Sequence, residues 1–284
     1  MNPPSVRAFV EQALGAAVDD VRPVGGGDIN EAWSIALADG RRAFAKTNPG
    51  ADPAMFPAEA EGLSWLREPG ALRIPEVLAV SADVLVLERI EPARAASDRD
   101  ERLGRGLAAL HRAGADGFGF PADNFIGRLP QDNERAADWP SFYRDRRLEP
   151  QLRLAADRGL ASAAMRRGFA RLFDRLAALM GDPEPPARLP GDLWGGNAMC
   201  DETGAPVLID PAVYGGHREV DLAMMRLFGG FSPRVFAAYE EAHPLQPGAV
   251  DRVPLYQLYP LLVHVNLFGG GYVSAVERAL AQLE

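Results

Sequence analysis

Residues 191–197 read Gly191-Asp192-Leu193-Trp194-Gly195-Gly196-Asn197, and residues 207–211 read Val207-Leu208-Ile209-Asp210-Pro211. Asp192 and Asn197 keep the spacing D-x-x-x-x-N across a glycine-rich loop. An aspartate there can accept a hydroxyl proton, and the asparagine carbonyl can bind Mg²⁺. Asp210 ends an apolar run with strand character, where a carboxylate can project into a cleft and bind the metal from its second side. Between them, residues 199–201 and 206–209 bracket Glu202-Thr203-Gly204, as a short hairpin would. A polar loop and a strand-end aspartate explain any one of these residues, but not the spacing of all three.

Working outward, the next informative residue is far upstream. The 30 basic residues are 29 arginines and Lys46. Arginine is a wide, flat fork, whereas lysine is a compact point charge that fits a narrow site. The single lysine is either a chance survivor or a position where a guanidinium cannot serve. In Ala43-Phe44-Ala45-Lys46, strand alternation puts Phe44 and Lys46 on one face. A lysine beside an aromatic on a half-buried face needs a partner for its charge. The helix predicted over 55–67 supplies one. Met55, Glu59, Leu63 and Leu66 share a face, while Glu61 turns about 200° away. A carboxylate in an apolar stripe is costly unless paired, so the simplest pairing is Lys46–Glu59. A strand lysine paired with a helix glutamate after a glycine-rich turn is how protein kinases hold nucleotide phosphates, and D-x-x-x-x-N is the spacing of their catalytic loop. A plain structural ion pair explains Lys46–Glu59 equally well when the pair is taken alone. The turn is Gly25-Gly26-Gly27-Asp28-Ile29-Asn30, whose backbone N–H groups could approach an anion. It follows neither the Walker pattern nor the usual kinase glycine spacing.

The order of elements agrees with two lobes. Residues 5–14 read as a short helix, 20–24 as a strand, and 32–37 with 42–47 as a hairpin turning at Asp39-Gly40. Two more strands follow at 77–80 and 84–87. After Glu88-Arg89-Ile90 the pattern becomes helical, over 99–113, 140–156, 160–181, 217–228, 232–242, 250–268 and 272–283. Strands and helices do not alternate, which argues against a Rossmann sheet. The predicted fold is α+β and bilobal: residues 1–88 form a small β-rich N-terminal lobe, a hinge lies near 87–91, and residues 89–284 form a larger, mainly helical lobe. His111 follows Leu103, Leu107 and Leu110 on a helix and is read as structural.

A net charge of −9 over 284 residues argues against nonspecific binding to nucleic acid or anionic membrane. Cys200 is the only cysteine, so no intrachain disulfide or multi-cysteine metal site can form. The N-terminus lacks the apolar core of a signal peptide. The longest apolar stretch, 255–268, is interrupted by Pro260, His264 and Asn266 and is too short to span a bilayer. The expectation is a cytoplasmic chain, monomeric by default.

The segments GGGDIN, FAKTN, MFPAEAEGL, LAALHR, GFGFPADNFIG, DLWGGN, LIDPAVYGGHREVDLAMMRLFGGF and LYQLYPLLVHVNLFGGGY, spread over residues 25–272, resemble the fructosamine-3-kinase or ketosamine kinase family. That family belongs to the protein-kinase-like group that includes aminoglycoside and choline kinases. The resemblance implies an ATP- and Mg²⁺-dependent phosphotransferase that acts on the third carbon of the sugar of a ketoamine, free or protein-linked. The phosphate beside the ketone then leaves, which frees the amine and repairs the glycated group. By position, Asp192 would deprotonate the hydroxyl, and Asn197 and Asp210 would hold Mg²⁺. Lys46, fixed by Glu59, would grip the phosphates near Gly25, Gly26 and Gly27. Glu88 and Ile90 belong to the hinge that would meet adenine through backbone groups. Trp194 could stack on the sugar, and His264 could hydrogen-bond it; a packing aromatic and a core histidine are the other readings.

Two departures bear on this. Pro190 stands where the family has a histidine that braces the catalytic loop. Asp28 stands where some relatives carry a redox-active cysteine, so no disulfide switch is expected there. Two other readings stay open: a kinase of the same fold acting on an aminoglycoside or another small alcohol, and a non-catalytic nucleotide-binding member.

Overall fold

The computed structural model describes residues 3–25 and 30–284. The chain opens with α1 (Pro3–Leu14), β1 (Val18–Val24), β2 (Glu31–Leu37), β3 (Arg42–Thr47), α2 (Met55–Arg67), β4 (Val77–Val80) and β5 (Val84–Glu88). The five strands form one antiparallel sheet in the order β1-β2-β3-β5-β4. Gly40 at the β2–β3 turn has φ of 86°, a conformation in which glycine meets no Cβ penalty.

Alternation along the strands gives this sheet two different faces. Trp33, Ile35, Ala43, Ala45, Val84 and Val86 pack with Val6 and Val10 of α1. Leu85, Leu87 and Phe44 point the other way, into a core with Phe56, Leu63 and Leu66 of α2. Lys46 is two residues along from Phe44, so it also faces α2. The fully buried Phe56 side chain contributes about 1.5–3 kcal/mol, and α2 is seated on the sheet by several such contacts.

The remaining chain is mostly helical: α3 (Arg99–Arg112), β6 (Asn124–Ile126), β7 (Leu129–Gln131), α4 (Trp139–Phe142), α5 (Glu149–Asp157), α6 (Ala163–Leu179), β8 (Ala187–Leu189), β9 (Ala198–Cys200), β10 (Pro206–Leu208), β11 (Tyr214–Gly216), α7 (Glu219–Phe228), α8 (Pro233–Ala242), α9 (Val253–Phe268) and α10 (Val273–Ala281). Three small pairs, β6–β7, β9–β10 and β8–β11, interrupt the helices. The architecture is α+β and bilobal. The expected helix over 140–156 is present, but a π-helical turn at Tyr143–Leu148 joins α4 to α5. The helix expected over 160–181 starts later, because the Ser162 side chain caps α6 by accepting from the Met165 N–H. The one expected over 250–268 begins at Val253. Among the described residues, no helix is long and apolar enough to cross a membrane.

Arg73 ties the two parts together beside the hinge. Its guanidinium donates to Glu88 at 2.6 Å, to Asp201 at 2.9 Å and to Glu202 at 3.0 Å. Burial works to raise the Asp201 carboxyl, but Thr203, Arg73 and two backbone N–H groups hold it well below the usual carboxylate range.

Buried histidine makes the helical part acid-sensitive. The His217 ring stacks on Tyr256 with centroids 5.3 Å apart. Burial lowers its pKa to about 4, with Glu184 working against the shift and Arg218 and Arg252 with it. An unfolded histidine titrates near 6.5, so between the two values only the unfolded chain binds the proton. The stability due to neutral His217 is complete above pH 6.5 and is lost as pH falls toward 4, by about 3 kcal/mol at most. Thermal unfolding of the His217→Asn variant should therefore vary less between pH 7 and pH 4.5 than that of the unaltered protein. Equal slopes would remove His217 from this account.

Candidate active site

The site is assembled from three pieces of chain. Lys46 sits in the middle of β3, opposite Ala32 of β2 and Leu85 of β5. It is 7% exposed, and its Nζ lies 2.6 Å from Glu59 Oε1 on α2. The same Nζ lies 2.5 Å from Asp210 Oδ1. Burial alone would lower the lysine pKa, but the two carboxylates more than offset it and hold the ammonium charged. The pairing expected with Glu59 is present. The second partner, Asp210, comes from the other lobe and was not foreseen.

Asp210 has φ of 50°, the only positive value at a non-glycine position among the described residues. Such a backbone is held by its surroundings, and one contact here comes from Asn197. Its Nδ2 donates to the backbone oxygens of Asp192 at 2.9 Å and Asp210 at 3.2 Å, and to Asp192 Oδ2 at 3.2 Å. One buried amide thus joins both acidic residues of the opening motif. Since these bonds all come from the amide nitrogen, Asn197 Oδ1 is left as the end that can meet a cation.

The Asp192 carboxyl is half-buried. Burial, then the nearby charge of Asp210, raise its pKa to about 7, against the Asn197 bond. A carboxylate that titrates near neutrality is well matched to taking a proton from a hydroxyl.

The loop is braced without a histidine at position 190. Gly191 has φ of 79°, and a Cβ there would fall 2.0 Å from the Ala212 carbonyl oxygen. Its N–H donates to Asp221 Oδ1 at 3.0 Å, and the Pro190 carbonyl accepts from Ala212 N–H at 2.8 Å. Asp221, fully buried in the first turn of α7, also accepts from His111 Nε2 at 3.1 Å, and His111 Nδ1 meets the Tyr239 hydroxyl at 2.8 Å. His111 is structural, as expected. Asp221 was missed by the sequence reading, because an acidic residue in a first helical turn is ordinarily explained by the helix dipole. Asp221→Ala would leave the Gly191 N–H and His111 without acceptors. It should cost about 2–4 kcal/mol and lower turnover more than nucleotide affinity. Denaturant unfolding with steady-state kinetics checks both effects.

The remaining candidates lie around this centre. Gly25 carries no contact that a Cβ would disturb, and Gly26, Gly27 and Asp28 lie outside the described residues. Glu88 ends β5 with its carboxylate committed to Arg73 and its N–H donating to the Glu76 carbonyl at 2.8 Å, and Ile90 is buried. Trp194 is 42% exposed, with its ring over Gly196, where a Cβ would fall 2.3 Å from it. His264 lies on α9. It is half-buried there, with its ring centroid 4.3 Å from that of Phe228 at the end of α7.

Among the described residues no cluster of three His, Cys, Asp or Glu forms a dedicated metal cage. The oxygens of Asp210 and Asn197 nevertheless fit Mg²⁺, which commonly takes one or two protein ligands and completes its shell with phosphate oxygens and water.

Comparison with known proteins places the whole chain among relatives. A probable ketoamine kinase of Enterococcus faecium is 39% identical over 266 residues, covering 92% of this chain and 94% of that protein. The chloroplastic protein-ribulosamine 3-kinase of Arabidopsis thaliana is 40% identical over 275 residues, covering 94% and 83%. The crystal structure of a fructosamine-3-kinase homologue from Thermobifida fusca superposes with a TM-score of 0.93 at 41% identity, covering 99% of both chains. The bilobal arrangement is that of the protein-kinase-like phosphotransferases. The fructosamine kinase family model matches residues 3–284, and the chain belongs to that family.

Proposed function

We propose that this protein is an ATP-dependent kinase that phosphorylates the sugar 3-hydroxyl of a ketoamine, a fructosamine or ribulosamine. The observation that carries the reading is the linked set: Lys46 bridges Glu59 and Asp210, and Asn197 joins Asp210 to Asp192. Relatives named as ketoamine and ribulosamine kinases at about 40% identity support the substrate class.

In this reading residues 1–88 hold the nucleotide and residues 89–284 carry the catalytic loop and the acceptor. Lys46, kept charged and fixed by Glu59, binds phosphate oxygens. Gly25, Gly26 and Gly27 offer backbone N–H groups, and the backbone at Glu88 and Ile90 meets adenine. Asp192 Oδ2 already accepts from Asn197, so Oδ1 is free to orient the acceptor hydroxyl and take its proton as the oxygen attacks. Asn197 and Asp210 would hold Mg²⁺, which neutralises phosphate charge during transfer. Trp194 packs against the sugar, and His264 bonds to the acceptor.

A substrate panel scored by ADP release tests this. Fructosamines and ribulosamines should be consumed with Mg·ATP. Turnover of aminoglycosides alone would replace the substrate class, and the absence of any nucleotide-dependent thermal shift would end the kinase reading.

A further inference from the structure

The sequence carries one short pattern twice, Leu227-Phe228-Gly229-Gly230-Phe231 and Leu267-Phe268-Gly269-Gly270-Gly271-Tyr272. Each copy closes a helix. Helix α7 ends at Phe228 and α9 at Phe268, and the next glycine has positive φ, 71° at Gly229 and 91° at Gly269. Side chains with a Cβ rarely adopt that backbone, so the chain turns sharply just after an aromatic in both places.

The two turns meet at His264. Its ring stacks on Phe228 with centroids 4.3 Å apart. The single 3₁₀ turn Gly270–Tyr272 carries Tyr272 back to within 5.0 Å of the imidazole, and Phe268 lies 5.3 Å from it. Phe268 is 59% exposed. Trp194 and Phe268 are the exposed large aromatic side chains among the described residues. The loop after Trp194 touches the turn after Phe228, since a Cβ on Gly195 would fall 3.0 Å from Gly230 Cα. The aromatic corner therefore adjoins the loop that carries Asp192.

Its chemistry is defined by one hydrogen bond. His264 Nδ1 lies 2.8 Å from the Pro260 carbonyl oxygen. A carbonyl only accepts, so Nδ1 carries the hydrogen and Nε2 of the neutral ring carries the lone pair. Burial lowers the pKa of His264, against the Pro260 bond, which keeps the ring neutral near pH 7. Among the described residues Nε2 has no protein partner, yet it is not a buried atom. The corner thus presents one acceptor on a ring packed against three aromatic side chains. Aromatic faces attract cations, and an imidazole lone pair needs a donor. A hydroxyl would satisfy the lone pair but gain little from the rings, whereas an ammonium satisfies both.

We propose that this corner is a subsite for the protonated amine of the substrate, which donates an N–H to His264 Nε2 while Phe268 and Tyr272 face its charge. The inference rests on the ketoamine reading above, because that substrate carries a secondary amine on the carbon beside its ketone.

Two ligands test it: fructose joined at C1 to the ε-nitrogen of Nα-acetyl-lysine, and a 1-O-alkyl fructose of equal length with an ether oxygen in place of that nitrogen. Binding is measured by calorimetry with Mg·ADP present, and turnover is measured with Mg·ATP. The amine should bind at least about ten-fold more tightly than the ether. Phe268→Leu and Tyr272→Leu keep apolar bulk but lose the π face, and each should cut this preference several-fold. His264→Phe keeps the stack on Phe228 but removes the lone pair, and should cut it similarly. Equal affinity for amine and ether in the unaltered protein would overturn the proposal, as would an unchanged preference in both leucine variants. Preference for the amine without phosphorylation of either ligand would leave the subsite standing and refute the kinase reading. Equally efficient phosphorylation of both would do the reverse.

Discussion

Asp192→Asn should lower turnover by about 10³-fold while leaving Mg·ADP binding intact. The amide keeps the size of the carboxyl and can still accept from Asn197 Nδ2, so the loop joined to Asp210 should hold its shape. Only the capacity to take a proton is lost. Folding should not suffer. Burial and Asp210 raise the Asp192 pKa to about 7, above the unfolded value near 3.9. The folded chain therefore favours the protonated form, and that contribution to stability is lost as pH rises through 7. A neutral amide avoids the loss, so at pH 8 the variant should melt no lower than the unaltered protein. Steady-state kinetics and thermal unfolding with and without Mg·ADP check the three expectations. Retention of more than about a tenth of the turnover would remove Asp192 from the role of base.

Lys46 carries the second large effect. One nitrogen, 2.6 Å from Glu59 and 2.5 Å from Asp210, bridges a helix and a strand-end loop from within a nearly closed space. Arginine keeps the charge but spreads it over a planar fork that does not fit at a point shared by two carboxylates and a phosphate. Lys46→Arg should fold, with Tm within a few degrees, and lose about 10²-fold or more in kcat/KM for ATP. Lys46→Ala is different in kind. It leaves Glu59 facing Asp210 without a counter-charge and should cost about 3 kcal/mol, at the low end for a broken buried pair because the Asp210 side chain is 45% exposed. Kinetics of the arginine variant and denaturant unfolding of the alanine variant separate the catalytic role from the structural one. Turnover by Lys46→Arg equal to the unaltered protein would return the lone lysine to chance.

Features carried by a local period were legible in the sequence. The alternation in residues 42–47 put Phe44 and Lys46 on one face, and helix α2 has the bounds read from its apolar stripe. The β9–β10 hairpin follows from its turn residues. The pair β8–β11 was not legible: three residues show no period, and two of the three in Tyr214-Gly215-Gly216 are glycines, which strands disfavour. The β6–β7 pair was missed for the same want of length. In the site, Glu59 could be found because a carboxylate in an apolar stripe demands a partner. Asp210 as a second partner of Lys46, and Asp221 as the brace for Gly191, depend on contacts across 164 and 30 residues that no local pattern encodes. The brace missing at Pro190 turned out to be supplied from α7, which the loop sequence alone could not show.

The central claim is that one linked set of side chains transfers phosphate from ATP to the third carbon of a ketoamine sugar. Phosphorus NMR of a reaction containing Mg·ATP and a synthetic ribulosamine tests it most directly. The account predicts one ADP for each sugar phosphate formed, with the new phosphorus signal coupled to the hydrogen on C3 and absent with Asp192→Asn. A phosphate on another carbon, or ADP release unchanged by omitting the ketoamine, would contradict it.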